Sequence, residues 1–155
     1  MAYSVSNVDN KIDNIRENIQ RGVNDIEDYA QQHAERDPED EYEQALLDMT
    51  NDLEQSVHAA LEDIRQLILS RRPAQTDPNY LEKKQQYSEY VQHATTGLNR
   101  LKASIRSLFT KLVGVVKRVV QWVRDHREGI YTFISNAFRV IIPLLGAFVP
   151  YIPHF

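Results

Sequence analysis

From Tyr80 onward the chain places an apolar residue at nearly every third or fourth position, through Tyr87, Val91, Ala94, Leu98, Leu101, Ile105, Leu108, Leu112, Val115, Val119 and Trp122. Only a helix brings residues at that spacing onto one side, so a single long rod is predicted here. Lys84 alone interrupts the early part of the series. Register is kept through Thr95-Thr96-Gly97, a poor local helix former, which favours one helix, bent at most at Gly97, over two separate ones.

Two further segments carry the same kind of pattern. Val5, Val8, Ile12, Ile15, Ile19, Gly22, Ile26, Tyr29 and His33 form a heptad seam among Asp, Asn, Glu, Arg and Gln. Gly22 costs roughly 1 kcal/mol of helix propensity unless a neighbour approaches closely there. Leu46, Met49, Leu53, Val57, Leu61, Ile64 and Ile68 average about 3.7 residues per turn, the period of a straight helix. Asp37-Pro38 and Asp77-Pro78 carry start signals, an Asp to cap free amides and a Pro at the first helical position. Arg71-Arg72-Pro73 and the run Arg124, His126, Arg127, Gly129 carry stop signals. The fold class expected is all-α: an antiparallel bundle of three long helices, the third longest and overhanging, with a short C-terminal helix and an apolar tail folding back. The same seams also suit an intermolecular coiled coil. The expected division is a helical bundle over 1–129 and an apolar C-terminal segment over 130–155.

At about 1.5 Å per residue the three helices span roughly 46, 51 and 75 Å. If the third lies antiparallel to the second, it is expected to run out of neighbour near Leu112. Its pattern also changes there: Phe109, Leu112, Val113, Val115, Val116, Val119, Val120, Trp122 and Val123 form a broad apolar arc beside a polar strip of Lys111, Gly114, Arg118, Gln121 and Asp125. So broad an arc requires a cover. One cover is a fourth helix over Ile130 to Ile142, turning at Glu128-Gly129 and stopped by Pro143. The other is a bilayer or a partner chain. A hairpin closed in water and opened against lipid would reconcile the two.

Charge separates along the chain almost as cleanly as the pattern does. Residues 1–97 hold 9 Lys/Arg and 20 Asp/Glu, a net of −11, while residues 98–155 hold 9 and 2, a net of +7. Beyond Ile130 the only formal charge is Arg139. Cations beside apolar residues point to an anionic lipid surface. Val140 to Ile152 is uncharged but short and broken by Pro143 and Pro150, so a shallow or re-entrant insertion is expected in place of a simple span. The residues expected at a membrane or partner contact are Phe109, Val116, Val120, Trp122, Phe133, Phe138, Phe148, Tyr151 and Phe155 as apolar groups. Lys111, Lys117, Arg118, Arg124, Arg127 and Arg139 are expected to face phosphates.

No catalytic constellation is present in the sequence, and no cofactor is expected. The chain has no cysteine, which removes disulfides, thiolate nucleophiles and zinc knuckles. The residues three before His33, His58, His93 and His126 are Ala30, Gln55, Tyr90 and Val123, so the Glu-x-x-His pair of a bundle di-metal site is missing. Glu54, His58 and Glu62 share a helical face, a spacing that surface ion pairing explains more simply than a metal. Gly-rich phosphate loops and nucleophile elbows are absent. His33 and His126 fall on seams, where they would sense pH or simply be hydrogen-bonded. Cations flanking valines, without stacking aromatics on a wet face, do not suit nucleic acid. The start Met-Ala lacks a leader or a myristoylation signal, so an intracellular protein, cytoplasmic or peripheral to a membrane, is expected. A non-enzymatic bundle that anchors to, shapes or permeabilises membranes is the leading expectation. The alternatives are a self-assembling homo-oligomeric scaffold and an adaptor that docks a partner helix.

Overall fold

The computed structural model describes residues 3–36, 39–126 and 128–147, with no side-chain detail for residues 3–7 and 147. Four helices follow in order: α1 (Tyr3–His33), α2 (Glu39–Leu69), α3 (Tyr80–Asp125) and α4 (Ile130–Phe138), and a 3-10 segment over Ile142–Ala147 closes the series. α3 is one continuous helix of 46 residues against 31 each for α1 and α2. Gly97 lies buried within it, and Gly97 and its two threonines leave the helix unbroken.

The helix ends show where local chemistry departs from the expected signals. α2 starts on Glu39, Asp40 and Glu41, acids that complement the positive end of its dipole; Asp37 and Pro38 lie outside the described residues. It ends at Leu69, ahead of Arg71 and Arg72, and closes through looser contacts from Arg71 N–H to Ile68 O (3.4 Å) and Arg72 N–H to Leu69 O (3.3 Å). Pro73 disfavours helical backbone at Arg72, so the unwinding begins before the proline. Asp77 does not cap α3. Its carboxylate accepts the Ala74 N–H (2.9 Å) and closes the connection, while Asn79 precedes the helix in left-handed backbone (φ 58°) without a side-chain cap; Asn tolerates that region better than most residues.

α4 stops at Phe138, four residues short of the expected Ile142. Pro143 is the cause, because its ring clashes with the carbonyl four residues back, that of Arg139, and it offers no N–H. The backbone instead tightens through Ile141 N–H to Phe138 O (3.1 Å) and Leu144 N–H to Ile141 O (3.0 Å), and runs on as the 3-10 segment. Gly129, at φ +71°, makes the turn between α3 and α4.

Packing follows a ring: α1 lies on α2, α2 on α3, α3 on α4, and α4 with the 3-10 segment on α1. α1 and α3 barely approach each other directly. One core runs through all four elements, with Ile12, Ile15, Ile19 and Ile26 of α1, Leu46, Leu61 and Ile64 of α2, Ile105, Leu108 and Leu112 of α3, and Phe138 among its fully buried side chains. In α1 the buried set is Val8, Ile12, Ile15, Ile19, Val23, Ile26 and Ala30, with Gly22, Tyr29 and His33 only half-buried. The stripe therefore drifts off the expected heptad to about 3.7 residues per turn, as a straight helix with neighbours on two sides requires.

Gly22 nonetheless has the close neighbour that justifies it. A Cβ there would lie 2.6 Å from both methyl carbons of Leu53 and 3.0 Å from its Cγ. Nearby, the buried Tyr42 hydroxyl donates to Ala30 O at 2.7 Å and fixes the α1–α2 pairing. Gly22→Leu is expected to lower stability by about 1–3 kcal/mol by overpacking, with Leu53→Ala in that background recovering part of the loss. Urea denaturation of the three variants checks this.

Candidate functional site

The broad apolar arc of α3 is covered from within the chain. Phe109, Val116 and Val120 of α3 and Phe138 of α4 are buried in the common core, Phe138 only 1% exposed. These four were expected at a contact surface, and in this conformation they have no free surface to offer. Trp122 and Phe133 are half-buried and stack on each other, ring centroids 4.2 Å apart and nearly parallel. His126 stacks on the other face of the series against Trp122 at 3.7 Å. The indole Nε1 is buried and has no acceptor among the described residues. Arg127, Phe148, Tyr151 and Phe155 lie outside the described residues.

The overhang sits at the opposite end of α3 from the one expected. Arg124, near the C-terminal end, reaches the first turns of α2 and pairs with Glu39 (3.2 Å) and Glu43 (3.6 Å). At the other end the Tyr87 hydroxyl donates to Leu69 O, the last residue of α2, at 3.2 Å. Residues 81–86 are all exposed, Leu81 to 80%. The physical reason is the 70–79 connection, which is long enough to let α3 begin about two turns beyond the end of α2 and brings its far end level with the start of α2.

The expected cations divide into two groups. Arg124 is tied to α2, and Arg139, though exposed, lies near Glu27 of α1. Lys111, Lys117 and Arg118 are exposed and, with Arg106, make no ion pair with the described residues. No Asp or Glu occurs between Glu89 and Asp125. Helical spacing puts Lys111 and Arg118 on one flank of the outward face and Arg106 and Lys117 on the other, with Ser107, Thr110 and Gly114 between and no carboxylate in this stretch of α3. Ser104 and Ser107 border a small cavity with Leu144, so this edge of α3 adjoins the C-terminal segment. Helical spacing continues the same edge to Lys111 and Arg118.

On the C-terminal segment, Ile130, Ile134, Ala137, Phe138, Ile141 and Leu145 face inward and are buried. Tyr131 (61% exposed), at the start of α4, and Val140 (52%) and Ile142 (42%), next to the exposed Arg139 in the chain, remain open to solvent. Sequence reasoning chose Phe133 and Phe138 in this region and missed these three. The inward stripe is legible at helical spacing, whereas the exposure of Val140 and Ile142 depends on where α4 ends, which spacing does not give. The Arg16 guanidinium donates to Leu145 O (3.2 Å) while pairing with Asp13 (2.8 Å), which pins the end of the segment to α1.

Elsewhere the polar residues make ordinary surface contacts. His58 pairs with Glu54 at 3.5 Å, whereas the Glu62 carboxylate is taken by Arg65 and Gln66, whose hydrogen bonds hold it below its ordinary range. Among the described residues no group of three His, Asp or Glu is placed to hold a metal, and no helix is long and apolar enough to cross a membrane. His33 stacks on Tyr29 (4.0 Å), at the same end of the bundle as His126.

Phe138→Ala is expected to lower global stability by about 3–5 kcal/mol, as loss of a core aromatic does, while Val140→Ser changes it by less than about 0.5 kcal/mol; urea denaturation separates the two. Glu27 gives a pH signature. Burial first, and Asp28 second, raise its pKa above the ordinary carboxyl value, and Arg139 opposes them. A carboxyl held more tightly protonated in the folded state contributes stability at low pH that is lost as pH rises through its raised value. Glu27→Gln is therefore expected to melt above the parent at neutral pH and together with it below the ordinary carboxyl range, in thermal scans across pH. No family model, curated protein or solved structure matches this chain, so its surface is the basis for a functional reading.

Proposed function

We propose that the protein is a non-enzymatic helical bundle that binds the surface of anionic membranes through its C-terminal segment and the adjoining basic edge of α3. The observation that carries this is the exposed apolar set of residues 130–145: Val140 and Ile142 stay exposed next to Arg139 in the chain, and Tyr131 at the start of α4, on a segment whose inward stripe is core. Apolar side chains beside a cation suit the headgroup boundary, where the chain burial and the charge are both accommodated. Lys111, Lys117 and Arg118 supply attraction at longer range, about 1 kcal/mol for each cation near an anionic leaflet. The acidic α1 and α2 are repelled by the same leaflet, so the bundle approaches with its basic edge first.

Contact of this kind is shallow and leaves the bundle closed. Flotation with phosphatidylcholine vesicles containing phosphatidylserine is expected to carry the protein, with binding falling as salt rises to about 0.5 M. Val140→Asp/Ile142→Asp is expected to abolish flotation, and Lys111→Glu/Arg118→Glu to weaken it at least tenfold by the per-cation attraction above, with unchanged circular dichroism. Equal binding to pure phosphatidylcholine, or parent-like flotation of both variants, would defeat the proposal.

A further inference from the structure

At the other end of the bundle, Lys84 stands where the apolar seam of α3 calls for a leucine. Tyr80, Lys84, Tyr87 and Val91 follow one another at helical spacing along a single edge of α3. α2 has ended by this level, and the 70–79 connection passes across in its place. Between the connection and that edge lies a half-open cleft of about 530 Å³, bordered by Leu69, Pro73, Tyr80, Tyr87 and Val91. Its charged lining residues are Arg72 and Lys84, and no carboxylate lines it. Leu69, 37% exposed, is one of the few large apolar side chains that the fold leaves open to solvent. The Tyr87 hydroxyl, bonded to Leu69 O, braces this wall.

The cations are not there to satisfy acids of the chain. Neither Arg72 nor Lys84 forms an ion pair with a described residue, and Asp77, the acid of the connection itself, is occupied by the Ala74 N–H. A volume within the roughly 300–1,000 Å³ of small-molecule sites, an apolar wall and two cations are together the features of a site for a ligand with an apolar body and an anionic head. A small inorganic anion would leave the tyrosines and Leu69 unfilled, and a neutral apolar molecule would make no use of the two exposed cations at the rim. We infer that this cleft binds a small amphipathic anion of the medium-chain fatty-acid class, its carboxylate between Arg72 and Lys84 and its chain along Leu69, Tyr87 and Val91.

This inference does not depend on the membrane reading. The cleft uses α3 only as far as Val91, whereas the C-terminal segment borders α3 from Ala103 onward. The test is displacement of a dansylated fatty-acid probe from the full chain by laurate, dodecanol and inorganic phosphate in separate titrations. Laurate is expected to displace the probe at least tenfold more effectively than dodecanol, and phosphate not to displace it. Lys84→Gln is expected to weaken laurate about tenfold, and Arg72→Gln/Lys84→Gln to erase the preference for laurate over dodecanol. Ser88→Trp, a change at an exposed lining position, is expected to block both ligands by filling the cleft, with an unaltered helical spectrum. The inference is overturned if laurate and dodecanol compete equally, if phosphate matches laurate, if the probe does not bind, or if the Lys84 and Ser88 variants behave as the parent. Flotation of the same variants with anionic vesicles is expected to remain unchanged, so failure here and failure of the membrane reading are read out separately.

Discussion

The separation of α1 from α3 is the constraint on which the rest of the structure depends. α1 presents a single apolar stripe and α3 a broad apolar arc, yet α2 alone lies between them on one side, and they do not close against each other on the other. The gap is filled by Ile130, Ile134, Phe138, Ile141 and Leu145. A short α-helix followed by a 3-10 segment suits that role, because it keeps one inward stripe while Pro143 prevents regular helix from continuing. The C-terminal segment is thus a fourth wall of the bundle, and the apolar residues it leaves outside are those its inward stripe does not need.

Much of this was legible in the sequence, and the parts that were not have a common cause. Three long helices, their apolar seams, the unbroken passage through Gly97, the close approach at Gly22 and a fold-back beyond Gly129 all follow from spacing and propensity. Spacing within a helix says nothing about the offset between helices. That offset is set by the 70–79 connection, where Asp77 bonds to Ala74 and Asn79 takes left-handed backbone. The displacement of about two turns moved the overhang from Val113–Val123 to Tyr80–Gln86, and with it turned Phe109, Val116 and Val120 from surface candidates into core. In the same way the early end of α4 placed Val140 and Ile142 outside, where an unbroken helix to Ile142 would have left their positions undecided.

The charge division has a similar lesson. If opposite halves existed mainly to hold each other, the basic residues of α3 would be consumed in ion pairs. Arg124 is so engaged, with Glu39 and Glu43, and Arg139 lies near Glu27, but Arg106, Lys111, Lys117 and Arg118 face outward without a described partner. Exposed pairs would contribute only about 0–1 kcal/mol each in any case. The separation therefore has its larger effect outside the molecule, as a field with a direction, in which a basic edge and two acidic helices respond oppositely to the same anionic surface.

Magnitudes decide between two ways in which such a molecule can meet lipid. Releasing the C-terminal segment would expose five or six buried aliphatic and aromatic side chains at about 1.5–3 kcal/mol each, a cost on the order of the whole stability of a domain this size, about 5–15 kcal/mol. It would also leave the facing apolar surfaces of α1 and α3 uncovered. Against this, the five exposed cations Arg106, Lys111, Lys117, Arg118 and Arg139 supply at most about 5 kcal/mol of attraction near an anionic leaflet. Electrostatic attraction of that size draws a folded bundle to a surface but does not open it. Insertion of Tyr131, Val140 and Ile142, already outside the core, adds apolar burial without that penalty. On the membrane reading proposed above, these magnitudes favour contact by the closed bundle, through the outward residues of the C-terminal segment more than through the buried arc beneath it.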